Sequence, residues 1–370
     1  MKIERIEIYR IAMPLKEPFR YAGGVDFANG GLVVKMVSSD GAYGWGESTP
    51  GQYPGYCPEW DGCQFLVARE FIAPRLIGQD IQTGEQLQEL LKIHKGNNFA
   101  KAAFDLAWWD LYARSQSKPL WEVIGGKSDT VQVGTGSGVL DSIDELLKRI
   151  EQAINDGYSR MKLKYMPGWE IEVVDAVRKA YPDLTLHIDC NSAYTLDDLE
   201  MFRKLDKYNL AMIEQPLAND DLIDHAELQK HISTPICLDE SITSPDKARK
   251  AVRIGACKWI NIKLGRVGGL TNAIAIHNIA EDAGVGCWVG GMIESALGLA
   301  HNIALATMPN IKYPSDIPTS SHHYDENLSA PEIVLSGPSQ MKAFDTPGVG
   351  VEPIPERLEK MTVEKKIFSA

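Results

Sequence analysis
The sequence predicts an α/β protein: a βα barrel set behind a smaller α+β domain. Three observations carry that prediction. The chain has 370 residues, long for one domain and comfortable for two. From about residue 130 short apolar runs alternate with amphipathic helical stretches, as parallel βαβ units do. Polar residues close five successive runs at intervals of 24 or 25 residues.

The first domain reads as strands over 3–11, 31–36 and 42–47, then helices between 58 and 115, of which 100–114 is the clearest. The opening Met1-Lys2-Ile3-Glu4-Arg5-Ile6 alternates apolar and charged residues, a strand pattern rather than an export signal. The barrel runs are 131–139, 160–165, 184–190, 210–215, 235–239, 259–264 and 286–289, with helices such as 142–156, 196–205 and 245–254 between them. Seven or eight such units suit a closed barrel better than an open sheet. Beyond about 330 the alternation is lost, and the chain is expected to return to the first domain.

Composition narrows the partners. Net charge is −12 with no Lys/Arg cluster, which argues against nucleic acid and anionic membranes. No run of about 18 apolar residues predicts a membrane helix. The cysteines at 57, 63, 190, 237, 257 and 287 form no Cys-x-x-Cys pair. Three of them lie in apolar runs, so a cytoplasmic location without disulfides is expected.

In a barrel the chemistry sits where strands end and βα loops begin. There the sequence places Lys164, Asp189, Glu214, Asp239 and Lys263. Asp189, Glu214 and Asp239 come from three adjacent strands. Packed together they would repel or take up protons, unless a hard cation neutralised them. All-oxygen ligation suits Mg²⁺, with Mn²⁺ a substitute. Each acid taken singly would be an ordinary helix cap; the matched register of three argues otherwise. Alternation puts Lys162 and Lys164 on one strand face. Nearby cations would lower the pKa of Lys164 and make it a usable base. Lys263 lies four strands on, across the mouth. Three lysines and a divalent cation outweigh three carboxylates, so a small-molecule carboxylate substrate is expected, with loss of its α-proton through an enediolate.

These residues resemble the enolase superfamily, whose Lys-base and Mg²⁺-enediolate chemistry is a known pattern. The likeness covers essentially the whole chain, including the stretch from Ala102 to Leu111, Lys118-Pro119-Leu120 and Gly125-Gly126. Lys162-x-Lys164 with Lys263 points to the muconate lactonizing enzyme subgroup. Asp189-Cys190-Asn191-Ser192-Ala193-Tyr194, Ile213-Glu214-Gln215-Pro216-Leu217, Leu238-Asp239-Glu240-Ser241, the stretch from Asn261 to Gly269 and Gly290-Gly291-Met292-Ile293-Glu294-Ser295 are most similar to its o-succinylbenzoate synthase and N-succinylamino acid racemase branch.

The resemblance implies a modified (β/α)7β TIM-type barrel over 126–325 and an α+β capping domain over 1–125. Residues 326–370 would return to the capping domain, and the molecule would be a homo-oligomer. It implies Mg²⁺ on Asp189, Glu214 and Asp239, and Lys164 as the base that returns its proton to a departing hydroxyl. Lys263 would support the enediolate from the opposite face, or deliver a proton there in a racemase. Lys162 would tune Lys164 and contact the carboxylate. Gly290, Gly291 and Met292 are expected at the substrate, with Asn191 behind the metal ligands. Arg20 and Tyr53 are expected in the lid stretches 17–30 and 49–61. A muconate-type cycloisomerase and a non-catalytic ligand-binding barrel are the remaining readings. The chain departs from the pattern at Gly136, where a serine is expected, and at His322-His323, read as a solvated pair.

Overall fold
The computed structural model describes residues 1–21, 24–168 and 171–370, with backbone alone at 19–21 and 24. An antiparallel sheet comes first, in the order Thr362–Ser369, Ile3–Tyr21, Gly24–Ser38, Tyr43–Ser48. Its alternation is what the opening residues predict: Ile6, Ile8, Val34 and Met36 all face one core. The Asn98–Ser115 helix packs there through Ala103, Phe104, Ala107, Trp108 and Leu111. The Tyr43–Ser48 strand crosses that helix at backbone contact. A Cβ at Gly44 would lie 2.2 Å from the Leu111 nitrogen, and one at Gly46 would lie 2.2 Å from the Ala103 oxygen. Only glycine permits that crossing.

The lid stretch 17–30 differs from the expected loop. Pairing continues along it, Pro14 against Ala28 and, past a bulge, Phe19 against Asp26 and Tyr21 against Gly24. It is the far end of a long hairpin. The aromatic and β-branched residues there suit a pleated strand, and glycine content alone misled the expectation.

The second sheet has seven parallel strands, in the order Gly286–Val289, Trp259–Ile262, Ile236–Leu238, Ile213–Glu214, Thr185–Asp189, Arg160–Lys164, Thr135–Ser137. An eighth stave, absent from the expected runs, closes it. Ile311 bridges Cys287 on one side and Ser315 bridges Val133 on the other. The Asp316 amide donates to the Val289 carbonyl at 2.8 Å, and the Gly134 amide to Ser315 at 2.8 Å. Pro314 interrupts the ladder, which hid this stave from a pattern of continuous apolar runs.

Two acids of the first sheet and its helix reach across to barrel helices. Glu47 accepts from the Ser295 amide at 2.7 Å, the Gly298 amide at 3.2 Å and the Ser295 hydroxyl, at the start of the Ala296–Ala306 helix. Asp105 accepts from the Thr271 amide at 3.0 Å and its hydroxyl at 2.7 Å, at the start of the Leu270–Asp282 helix. Both satisfy orphan N–H groups at a positive helix end. All six cysteines are free thiols, and no described helix is long and apolar enough to cross a membrane.

Candidate active site
Strand register sets the height of each polar residue at the barrel mouth. Lys164 pairs with Asp189, and Asp189 with Glu214, so these three stand level. Glu214 pairs with Cys237, which lifts Asp239 two residues higher. Cys237 pairs with Trp259, so in the same register Lys263 rises two further. The equal sequence intervals therefore become a stagger, the shear that closing a barrel requires.

One cavity opens above these strands. Lys162, Lys164, Lys263, Asn191, Gly136, Gly291, Met292 and Asp316 line it from the barrel, and Asn29, Thr49 and Tyr56 from the capping side. Lys164 and Lys263 reach it from strands four apart in the barrel order. Asp189, Glu214 and Asp239 do not line it; they lie behind the lysines and are essentially inaccessible to solvent.

The carboxylates are each held by cations of the chain. Lys164 Nζ donates to Asp189 Oδ2 at 2.8 Å and to Asn191 Oδ1 at 2.6 Å. Lys162 Nζ lies 3.6 Å from Asp189 and 4.0 Å from Glu214. Lys263 Nζ lies 3.1 Å from Asp239, which also takes a short contact from Arg266. Among the described residues no three His, Cys, Asp or Glu side chains are gathered around one point. Yet Glu214 Oε2 is buried without a satisfied hydrogen bond; His187 Nε2 lies 3.3 Å away, but burial lowers its pKa, and the nearest cation is Lys162 Nζ at 4.0 Å. A buried oxygen without a donor is costly, and a hard cation there would remove the cost. Donor chemistry fits such an ion; closing on it would require Asp239 and Asp189 to turn from their present partners.

Acid neighbours set the charge of Lys162 and Lys263. Burial pulls Lys162 down, but Asp316, Glu214 and Asp189 outweigh it and hold its pKa above the ordinary lysine range. Burial likewise opposes Lys263, and Tyr56, Glu214, Glu240 and Asp189 raise it. Glu214 and Asp316 stand well below the carboxylate range; in each burial is overcome, chiefly by Lys162. Both lysines are thus kept as cations.

The remaining expected residues fall out unevenly. Asn191 accepts from Lys164 and donates to Glu240 Oε1 at 3.0 Å. Gly291 and Met292 line the cavity. Gly290 does not: a Cβ there would strike the Asn261 side chain at 2.3 Å, so its smallness serves packing. Tyr53 is 40% exposed and outside the lining. Tyr56, three residues on, enters instead: its ring lies under Lys263 Nζ at 4.6 Å, and its hydroxyl accepts from Arg266 at 2.9 Å. The side chain of Arg20 lies outside the described residues.

Asp316 was legible only as the end of Pro314-Ser315-Asp316 and was given no role, because its stave was not recognised; it lies 2.7 Å from Lys162. Arg266 was in view, in the Lys263-Leu264-Gly265-Arg266 segment, but carried no signal of its partner. Of the pair read as solvated, His322 is exposed and His323 half-buried; both line the mouth of this cavity, where burial and His322 hold the His323 pKa down to about 3. Gly136 lies beside Lys162 with a Cβ's room, 3.5 Å, so the expected serine would fit.

The chain matches two family descriptions: "Mandelate racemase / muconate lactonizing enzyme, N-terminal domain" over residues 5–125, and "Enolase C-terminal domain-like" over 145–357. It is 41% identical to an o-succinylbenzoate synthase of Geobacillus kaustophilus, over 100% of this chain and 98% of that one. It is 39% identical to an N-succinylamino acid racemase of Thermus thermophilus, with 100% of both covered. A solved enolase superfamily member from Listeria innocua superposes with a TM-score of 0.96 at 35% identity, covering 100% of this chain and 99% of that one. A barrel mouth with lysines beside three strand-end acids, and matches of this length, lead to one conclusion: the chain belongs to the enolase superfamily, within its mandelate racemase and muconate lactonizing enzyme group.

Proposed function
We propose that this protein is a Mg²⁺-dependent lyase that removes the proton α to a carboxylate and eliminates water, forming o-succinylbenzoate for menaquinone synthesis in the cytoplasm. What supports it is that Lys164 and Lys263 line one cavity from strands four apart in the barrel order, beside the buried Asp189, Glu214 and Asp239. Those three acids would hold the cation, which would neutralise charge on the substrate carboxylate. Lys164, as the free amine, takes the α-proton. The C–H electron pair moves into the carboxylate as an enediolate, and Lys162 and Lys263, kept charged by their acid neighbours, stabilise it. Collapse of the enediolate expels the hydroxyl, and Lys164 gives it the same proton, so water leaves from the face that lost hydrogen.

A second reading has support of its own. Two lysines on opposite faces of one carbon can exchange its proton from either side, and the 39% identity to an N-succinylamino acid racemase favours that activity. Both reactions share the first step. The test is a Mg²⁺-dependent assay on the dehydration precursor beside a panel of N-succinylamino acids, with solvent deuterium exchange followed in each. Dehydration together with exchange supports the lyase; exchange with racemisation alone supports the second reading. Neither turnover nor exchange with Mg²⁺ present would refute both. In Lys263→Ala racemisation should vanish, while dehydration persists more slowly.

A further inference from the structure
Asparagine is a poor strand residue, and a buried one needs partners for its amide. Asn29 lies in the Gly24–Ser38 strand of the capping sheet, opposite Met13, and is 6% exposed. Its side chain reaches the barrel: Nδ2 donates to the Ile293 carbonyl at 2.7 Å and to the Met292 carbonyl at 3.1 Å. Both partners are acceptors, so the amide nitrogen must be the atom that faces them. Those carbonyls belong to a strained turn. Ile293 has a φ of +61°, in the left-handed region. Among the described residues the other non-glycines there are Asn, Ser and Gln, and Ile293 alone is β-branched, the kind of side chain least suited to that conformation. Such strain persists only where the surroundings over-determine it. Here the Thr49 hydroxyl donates to the Met292 carbonyl at 3.2 Å, the Tyr324 hydroxyl donates to the Ile293 carbonyl at 2.5 Å, and the Met292 amide donates to Glu294 at 2.7 Å. Gly291, Met292 and Ile293 all line the cavity.

We propose that Asn29 is a positioning residue: from the capping sheet it clamps the barrel segment 291–293 in its strained form, and that form sets the wall against which substrate binds. The proposal rests on the reading of this cavity as the active site. The clamp acts on the wall and not on the groups that move protons. Lys164 is tied to Asp189 and Asn191, Lys162 to Asp316, and Lys263 to Asp239. A wall that meets substrate equally in the ground state and the transition state governs KM and leaves kcat alone. Strain also makes the clamp conditional. Asparagine tolerates the left-handed region, so with Ile293→Asn the turn keeps its form without being forced, and Asn29 has less to hold.

A double-mutant cycle on the full chain tests this, with wild type, N29A, I293N and N29A/I293N compared. Two readouts are taken: steady-state kinetics on whichever substrate of the panel the wild type turns over, and hydrogen–deuterium exchange of the amides in 291–295. N29A should raise KM about tenfold with kcat within about twofold, and should speed exchange in 291–295. In the I293N background the same substitution should raise KM by no more than about twofold and change exchange little. Circular dichroism establishes that each variant is folded; N29S runs the same cycle if N29A does not fold. An N29A protein with the wild-type KM and wild-type exchange overturns the proposal. So does a fall in kcat at unchanged KM. An equal KM defect in both backgrounds overturns it too, because Asn29 would then touch substrate itself or serve the fold alone. Exchange needs no turnover, so a wild type inactive on the whole panel sinks the proposed reaction while the exchange cycle still decides the clamp.

Discussion
Asp316 shows how much one side chain can decide. It sits 2.7 Å from Lys162 and 3.4 Å from Arg160, and all three are largely withdrawn from water. Removing the acid strands two cations, so Asp316→Ala should cost about 3 kcal/mol in denaturant unfolding. Activity should fall as well, because Lys162 loses the neighbour that fixes it at the cavity wall. Lys164 carries a sharper expectation: Lys164→Ala should lower turnover about 10³-fold, the scale of a lost general base, with the unfolding midpoint little changed. Glu47 is a stability residue. Burial, partly offset by its Ser295 bonds, raises its pKa to about 7. A carboxyl raised on folding favours the fold while protonated. The contribution is intact below the unfolded pKa near 4.5, is lost as pH rises to about 7, and stays level above that. The span is on the order of 3 kcal/mol. Glu47→Gln should flatten thermal stability between pH 5 and 8; an unchanged profile would remove Glu47 as its source.

At the scale of elements, legibility followed continuity. Strands with unbroken apolar runs, such as Thr185–Asp189 and Trp259–Ile262, were readable together with the acid or lysine ending each. The stave around Ile311–Asp316 was not, because Pro314 breaks its ladder and much of its pairing is isolated bridges. Asp316 was left without a role for the same reason. Tyr56 and Arg266 were visible as residues but not as partners, since an aromatic in a lid and an arginine after a strand have many ordinary uses. Their meeting at 2.9 Å depends on how capping segment and barrel pack, which no local pattern encodes. The hairpin over Ile3–Ser38 was read too short for a related reason: Gly24, Gly30 and Gly31 along it looked like punctuation. The acid caps give this scale its prediction. Asp105→Ala should cost about 1–2 kcal/mol through loss of the Thr271 bonds, whereas Asp105→Asn, which keeps an acceptor, should recover part of it. Equal losses in both variants would mean that the charge, not the bond, is what matters.

For the whole molecule, a cation that binds the folded chain and not the unfolded one must stabilise it. At 100 times its dissociation constant Mg²⁺ should add about 2.7 kcal/mol, read as a rise in melting temperature that a chelator reverses. Asp239→Asn should abolish most of that response; a wild-type melting temperature indifferent to Mg²⁺ would count against the metal assignment. Global architecture was the most legible level, since strand and helix periods and the spacing of polar strand ends all point to a closed barrel. The joint between the two parts was the least legible, and it has a practical consequence. Because Glu47 and Asp105 supply acceptors to the first turns of two barrel helices, the barrel does not own all the parts it needs. Anyone grafting a foreign lid onto this scaffold to alter selectivity must transplant matching acids as well, or accept frayed helix starts beside the reaction chamber.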